Sequence, residues 1–172
     1  SFVLSERNQT SSGGASPIET VELGLGRIQP RLQTPIPGGD SFGAEVAELA
    51  EAVMGKRLFD WQVVAISGML TWHRSTDPFH LGKPELVHRE SLCSTGRQSG
   101  KSVALTSLIL WALVKWPEHR GEPVNVLSVA NKLDRAVAIF TELAPHLENL
   151  GAKVTWSYGR NKAVMPDGST WE

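Results

Sequence analysis

From residue 42 onward, apolar positions recur at helical spacing. Phe42, Val46, Leu49 and Val53 fall on one face, while Glu45, Glu48 and Glu51 occupy the rest. The pattern predicts an amphipathic helix capped by Asp40 or Ser41, running to about Met54 and ended by Gly55. A second helix is expected from Asp60 through Trp61, Gln62, Val63, Val64, Ala65 and Ile66 towards Trp72. Residues 74–85 contain Pro78, Gly82 and Pro84 and read as loop. Residues 86–94 read as a strand, and residues 103–116 as an apolar helix free of Gly and Pro. A turn at 117–123 leads into a mostly apolar strand at 124–130, of the kind buried on both faces. A helix from about Lys132 to Leu150 turns Ala136, Ile139, Phe140, Leu143, Leu147 and Leu150 inward, with Pro145 a candidate kink and Gly151 its end. The remainder reads as a meander. Residues 154–158 alternate, Gly159-Arg160-Asn161 turns, residues 162–165 return, and Asp167-Gly168 turns again.

Strand–helix–strand–helix through the middle of the chain predicts an α/β fold with a parallel sheet and right-handed crossovers. Residues 1–40, rich in Ser, Thr, Gly and Pro, bury too little to offset ordering entropy and read as a mobile arm and linker. Residues 41–172 are then the folded domain, and 172 residues suffice for one real core. The net charge of -1 gives no overall basic footprint for nucleic acid. One cysteine, Cys93, excludes a disulfide within the chain and is expected to pack inside the strand ahead of the loop. His73 and His80 lack the partners a metal site would need. The most apolar run, residues 103–114, is too short to span a bilayer. The chain starts at Ser1 and stops inside what reads as a strand, which suggests a fragment.

The chemistry concentrates in Gly96-Arg97-Gln98-Ser99-Gly100-Lys101-Ser102. A helix N-terminus offers free amides and the positive end of a dipole, which suits phosphate oxygens. Gly100 lets the backbone come close. Lys101 would reach the β- and γ-phosphates of a nucleoside triphosphate, and the Ser102 hydroxyl would ligate Mg²⁺. Arg97 adds a second cation able to fork onto phosphate oxygens. In the common G-x-x-x-x-G-K-[ST] pattern the first glycine would fall at Thr95; here it comes one place later, at Gly96.

Taken in order, these pieces resemble the large terminase subunit of tailed bacteriophages. Four features carry the likeness over roughly residues 30–172: the Pro-containing linker leading to Gly43-Ala44-Glu45-Val46 and its acidic helix; Leu58-Phe59-Asp60-Trp61-Gln62, similar to the family's adenine-side motif; Arg97-Gln98-Ser99-Gly100-Lys101-Ser102, similar to its Arg-bearing Walker A; and the segment 125–140 with Ala130-Asn131. The resemblance implies a P-loop NTPase of RecA-like (ASCE) type, with a parallel central sheet flanked by helices and the chain ending before Walker B. It implies ATP and Mg²⁺ as cofactors, with Arg97 and Lys101 acting on the phosphates. The ligand contacts would be Gln62, Gly96, Arg97, Gln98, Ser99, Gly100, Lys101 and Ser102, the last also holding the metal. For Gln62 the chemistry would be pairing with the N6 and N7 edge of adenine.

Double-stranded viral DNA, the portal protein and the small terminase subunit would be partners of a homo-oligomeric motor in the cytoplasm of the infected host. Arg160 and Lys162, at a hairpin tip, are candidate DNA contacts. No Asp-Glu pair occurs in the chain, so the expectation is nucleotide binding without turnover. Two other readings fit the same residues: part of a helicase-like P-loop ATPase, or a non-enzymatic assembly module with a relic loop.

Overall fold

A computed structural model describes residues 28–36, 38–96, 98–130, 132–157 and 161–172. Arg97 and Arg160, each given a role above, lie outside the described residues, as does most of the arm expected at residues 1–40.

Helix α1 (Gly43–Met54) ends at Gly55 in the left-handed region, as its sequence predicts. Its start is looser than expected: Phe42 is the cap residue, and Ser41 Oγ accepts from Gly43 N at 3.1 Å. Helix α2 (Asp60–Met69) stops short of Trp72, which belongs to a strand. Helix α3 (Lys101–Val114) is buried along much of its length through Thr106, Ile109, Leu110, Trp111 and Leu113. A short helix α4 (Trp116–Arg120) occupies what read as a turn, with Pro117 in its first turn, where a missing N–H costs nothing. Helix α5 (Leu133–Asn149) runs through Pro145.

The expected parallel central sheet is not what this chain builds. Strands β1 (Asp40–Ser41), β2 (Thr71–Arg74) and β3 (Pro84–Leu86) form a small antiparallel sheet in that order. Strands β4 (Asn125–Val126), β5 (Lys153–Thr155), β6 (Lys162–Val164) and β7 (Thr170–Trp171) form a mixed sheet ordered β4-β7-β6-β5. Among the described residues the one parallel pairing is β4 with β7, Val126 opposite Trp171.

The departures have physical causes. A parallel strand buried on both faces needs a near-continuous apolar run. Residues 86–94 break theirs with His88-Arg89-Glu90-Ser91, and only Leu86 joins a sheet, antiparallel, opposite Trp72. Residues 74–85 hold the turn of a hairpin. Pro84 opens β3 opposite Arg74, a position a strand allows to proline, and Gly82 turns with φ 76°. The apolar run 124–130 pairs at only two residues, which leaves Leu127 and Val129 exposed.

One core joins the two halves. Phe42, Val46 and Ala50 of the α1 region meet Ile66, Leu110 and Trp111, and the cluster continues through Phe140, Leu143 and Leu147 to Trp171. Phe42 stacks on Trp72 with ring centroids 5.3 Å apart. Trp111 Nε1 donates to Glu45 at 2.7 Å, so the indole is buried with its polar end satisfied. Helix α3 therefore stands in the core while its first turn reaches the surface, where the Gly-Lys-Ser segment lies.

Candidate polyphosphate site

Gly100 caps α3 with φ 85° and ψ 18°, a left-handed conformation that glycine adopts without penalty. Two residues earlier, Gln98 also has positive φ, 56°, the one non-glycine residue to do so among those described. Strain at such a residue persists only where the surroundings enforce it, and functional loops are a common place. The bend between Thr95 and Lys101 is held from within. Ser99 Oγ donates to Gly96 O at 2.9 Å and lies 2.5 Å from Thr95 Oγ1. The Lys101 ammonium folds back over the bend, donating to Thr95 O at 3.0 Å and Gly96 O at 2.8 Å.

Helix α3 makes its first internal bond from Ala104 N to Gly100 O, so the amides ahead of Ala104 have no helical acceptor. No acidic residue stands in that first turn. Lys101 and Ser102 are both exposed. The local field is therefore that of a cation, open amides and a helix dipole of one sign.

Gln62 sits elsewhere than on an open face. Its side chain is 1% exposed. Oε1 accepts from Phe59 N at 2.7 Å, and Nε2 donates to Gly100 O at 2.7 Å. The glutamine thus closes the first turn of α2 and reaches across to the cap of α3.

Beside the bend opens a cleft of about 660 Å³, within the range of small-molecule sites. Trp61, Val64 and Ala65 of α2 form one wall, Arg31 and Leu32 another, and Cys93, Thr95, Gly96 and Ser99 the third. Of the residues expected to contact the nucleotide, Gly96, Gln98, Ser99, Gly100, Lys101 and Ser102 follow one another through the bend into the first turn of α3, and Gln62 touches them at Gly100 O. It missed Arg31 and Thr95. Arg31 carried one faint signal, a cation set among prolines. Cys93, expected to pack inside a strand, is half-buried on the cleft wall. Lys162 opens β6, and its ammonium is paired with Glu172 at 2.6 Å.

A hydrogen bond from Arg120 holds the Glu122 carboxyl below its ordinary 4.5, and one to Glu118 raises Lys115 above 10.5. Among the described residues no group of three His, Cys, Asp or Glu side chains is arranged to hold a metal, and no helix is long and apolar enough to cross a membrane. Comparison with family models, with curated proteins and with solved structures gives no match.

Proposed function

We propose that the bend at residues 96–102 binds the phosphates of a magnesium nucleoside triphosphate, ATP in the first instance, and that the cleft beside Trp61 receives the nucleoside. One observation carries the reading: the Lys101 ammonium is held over the bend, 2.8 Å from Gly96 O, at the start of a helix with no acid in its first turn. The two loop carbonyls neutralise that cation only in part, so phosphate oxygens compete well for it. Ser102 stands beside Lys101, and its hydroxyl is an oxygen ligand of the hard kind that Mg²⁺ takes alongside phosphate and water. When bound, the metal would neutralise phosphate charge. The chain's own part is to grip the β- and γ-oxygens through Lys101 and the open amides, with Arg97 as a second cation by its place in the sequence.

On the sequence likeness, the larger role is the ATP-binding portion of a phage DNA-packaging motor of the large terminase type. That role brings double-stranded viral DNA, the portal protein and the small terminase subunit as partners, a homo-oligomeric assembly, and the cytoplasm of the infected bacterial host. The reading rests on the bend and the helix start and does not depend on the type of sheet behind them.

Titration with fluorescent ATP, with and without Mg²⁺, tests it. The expected result is saturable, Mg²⁺-dependent binding that Lys101→Ala weakens by about tenfold or more, the effect of losing one charge-assisted contact. Binding that is absent, or indifferent to Lys101, overturns the proposal.

A further inference from the structure

The geometry points to Gln62 as the residue that positions the phosphate-binding bend, and not as a reader of the nucleotide base. This rests on the polyphosphate reading above. Both ends of the buried amide are engaged: Oε1 by Phe59 N and Nε2 by Gly100 O, each at 2.7 Å. The Phe59 bond fixes which end of the amide is oxygen, so a donor must face Gly100. With the residue 1% exposed, a base edge could reach this amide only by displacing the packing that covers it.

The bond to Gly100 has a directional effect. The Gly100–Lys101 peptide is planar and trans, so its C=O and N–H point opposite ways. Holding the oxygen on the α2 side aims the Lys101 amide away from α2. The same carbonyl also takes the first helical bond, from Ala104 N at 3.3 Å. One glutamine therefore sets the tilt of the peptide that begins α3. The approach is close: a Cβ on Gly100 would lie 2.8 Å from Gln62 Nε2, so glycine is required there for space as well as for φ. Trp61, next along α2, lines the cleft. Helix α2 thus joins the cleft wall to the bend through adjacent residues.

The test compares Gln62→Glu and Gln62→Met with the wild-type chain. The ligands are Mg·ATP, Mg·GTP and magnesium tripolyphosphate, and each protein's thermal midpoint is measured without ligand. Glutamate keeps the acceptor for Phe59 N but sets a carboxylate oxygen against Gly100 O; methionine removes both bonds at similar volume. The expected result is a loss of about tenfold for all three ligands alike, because a mis-set bend is blind to the base. In Gln62→Glu the loss, relative to wild type, recovers from about pH 8 to about pH 6, since a buried carboxyl is readily protonated and then donates again. A purely structural glutamine would show no such recovery.

A loss confined to Mg·ATP makes Gln62 a base reader and overturns the inference. So do unchanged affinities for all three ligands. Loss of the folded state in both variants assigns Gln62 to packing and overturns it too. A wild-type chain that binds none of the three fails at an earlier step: it removes the polyphosphate reading, and the positioning role with it.

Discussion

Lys101 is exposed, yet its ammonium is not free: two carbonyls of its own loop hold it. A side chain held in this way would spend little rotamer entropy on gripping the phosphates of the proposed ligand. Grip is one task and hydrolysis another. Turnover needs an acidic pair to hold the metal and orient water, and no Asp-Glu pair occurs in the sequence. Phosphate release by this chain should therefore be no faster than by its Lys101→Ala variant; a Lys101-dependent release above that background would contradict it. The residues of the bend were legible because Gly-Lys-Ser at a helix start has a physical reason at each position. The use made of Gln62 was not legible. A glutamine at a helix start can turn its amide to the backbone or to a ligand, and only the neighbouring Gly100 carbonyl shows which.

At the scale of elements, α1 and α2 are pressed together where Gly43 starts the first of them. A Cβ at residue 43 would fall 2.8 Å from Ser67 Cα, a backbone atom that cannot swing aside. Gly43→Ala should destabilise the fold by about 1–3 kcal/mol through overpacking. The better helix propensity of alanine returns at most about 1 kcal/mol of that. Thermal denaturation checks the sign, and a variant as stable as wild type would show that the two helices can part freely. Helices α1 and α5 were readable from spacing, because each buries a periodic face; α3 was readable as an apolar run free of Gly and Pro, and α4 was read as a turn. The strands were not. Hairpin β2–β3 grows from a segment whose Pro78, Gly82 and Pro84 read as breakers, and the sequence could not show that proline would stand at a strand's first position. The reverse error occurred at residues 86–94, where four apolar side chains outweighed the charged run between them.

Taken whole, the molecule is two small sheets joined through the buried α3, and polar ties reinforce the junction. Arg120, at the end of α4, donates to Pro84 O of β3 at 3.2 Å and to Glu122 at 3.1 Å. Lys56, just past α1, pairs with Glu142 of α5. The Arg120 bond keeps the Glu122 carboxyl ionised below its ordinary 4.5. A carboxyl depressed in the folded state stabilises the fold above its unfolded value, and that contribution disappears as pH falls through the lower folded one. The thermal midpoints of wild type and Glu122→Gln should therefore differ near neutral pH and converge in acid, below 4.5. Because Glu122 is exposed, the difference should be small and should shrink further with salt. Curves that run parallel down to acid would remove the tie from the account. The cleft beside the bend has a practical bearing as well. The chain's single thiol, Cys93, stands on its wall, so one maleimide dye would place a lone reporter in the cleft proposed for the nucleoside, with no engineered residue.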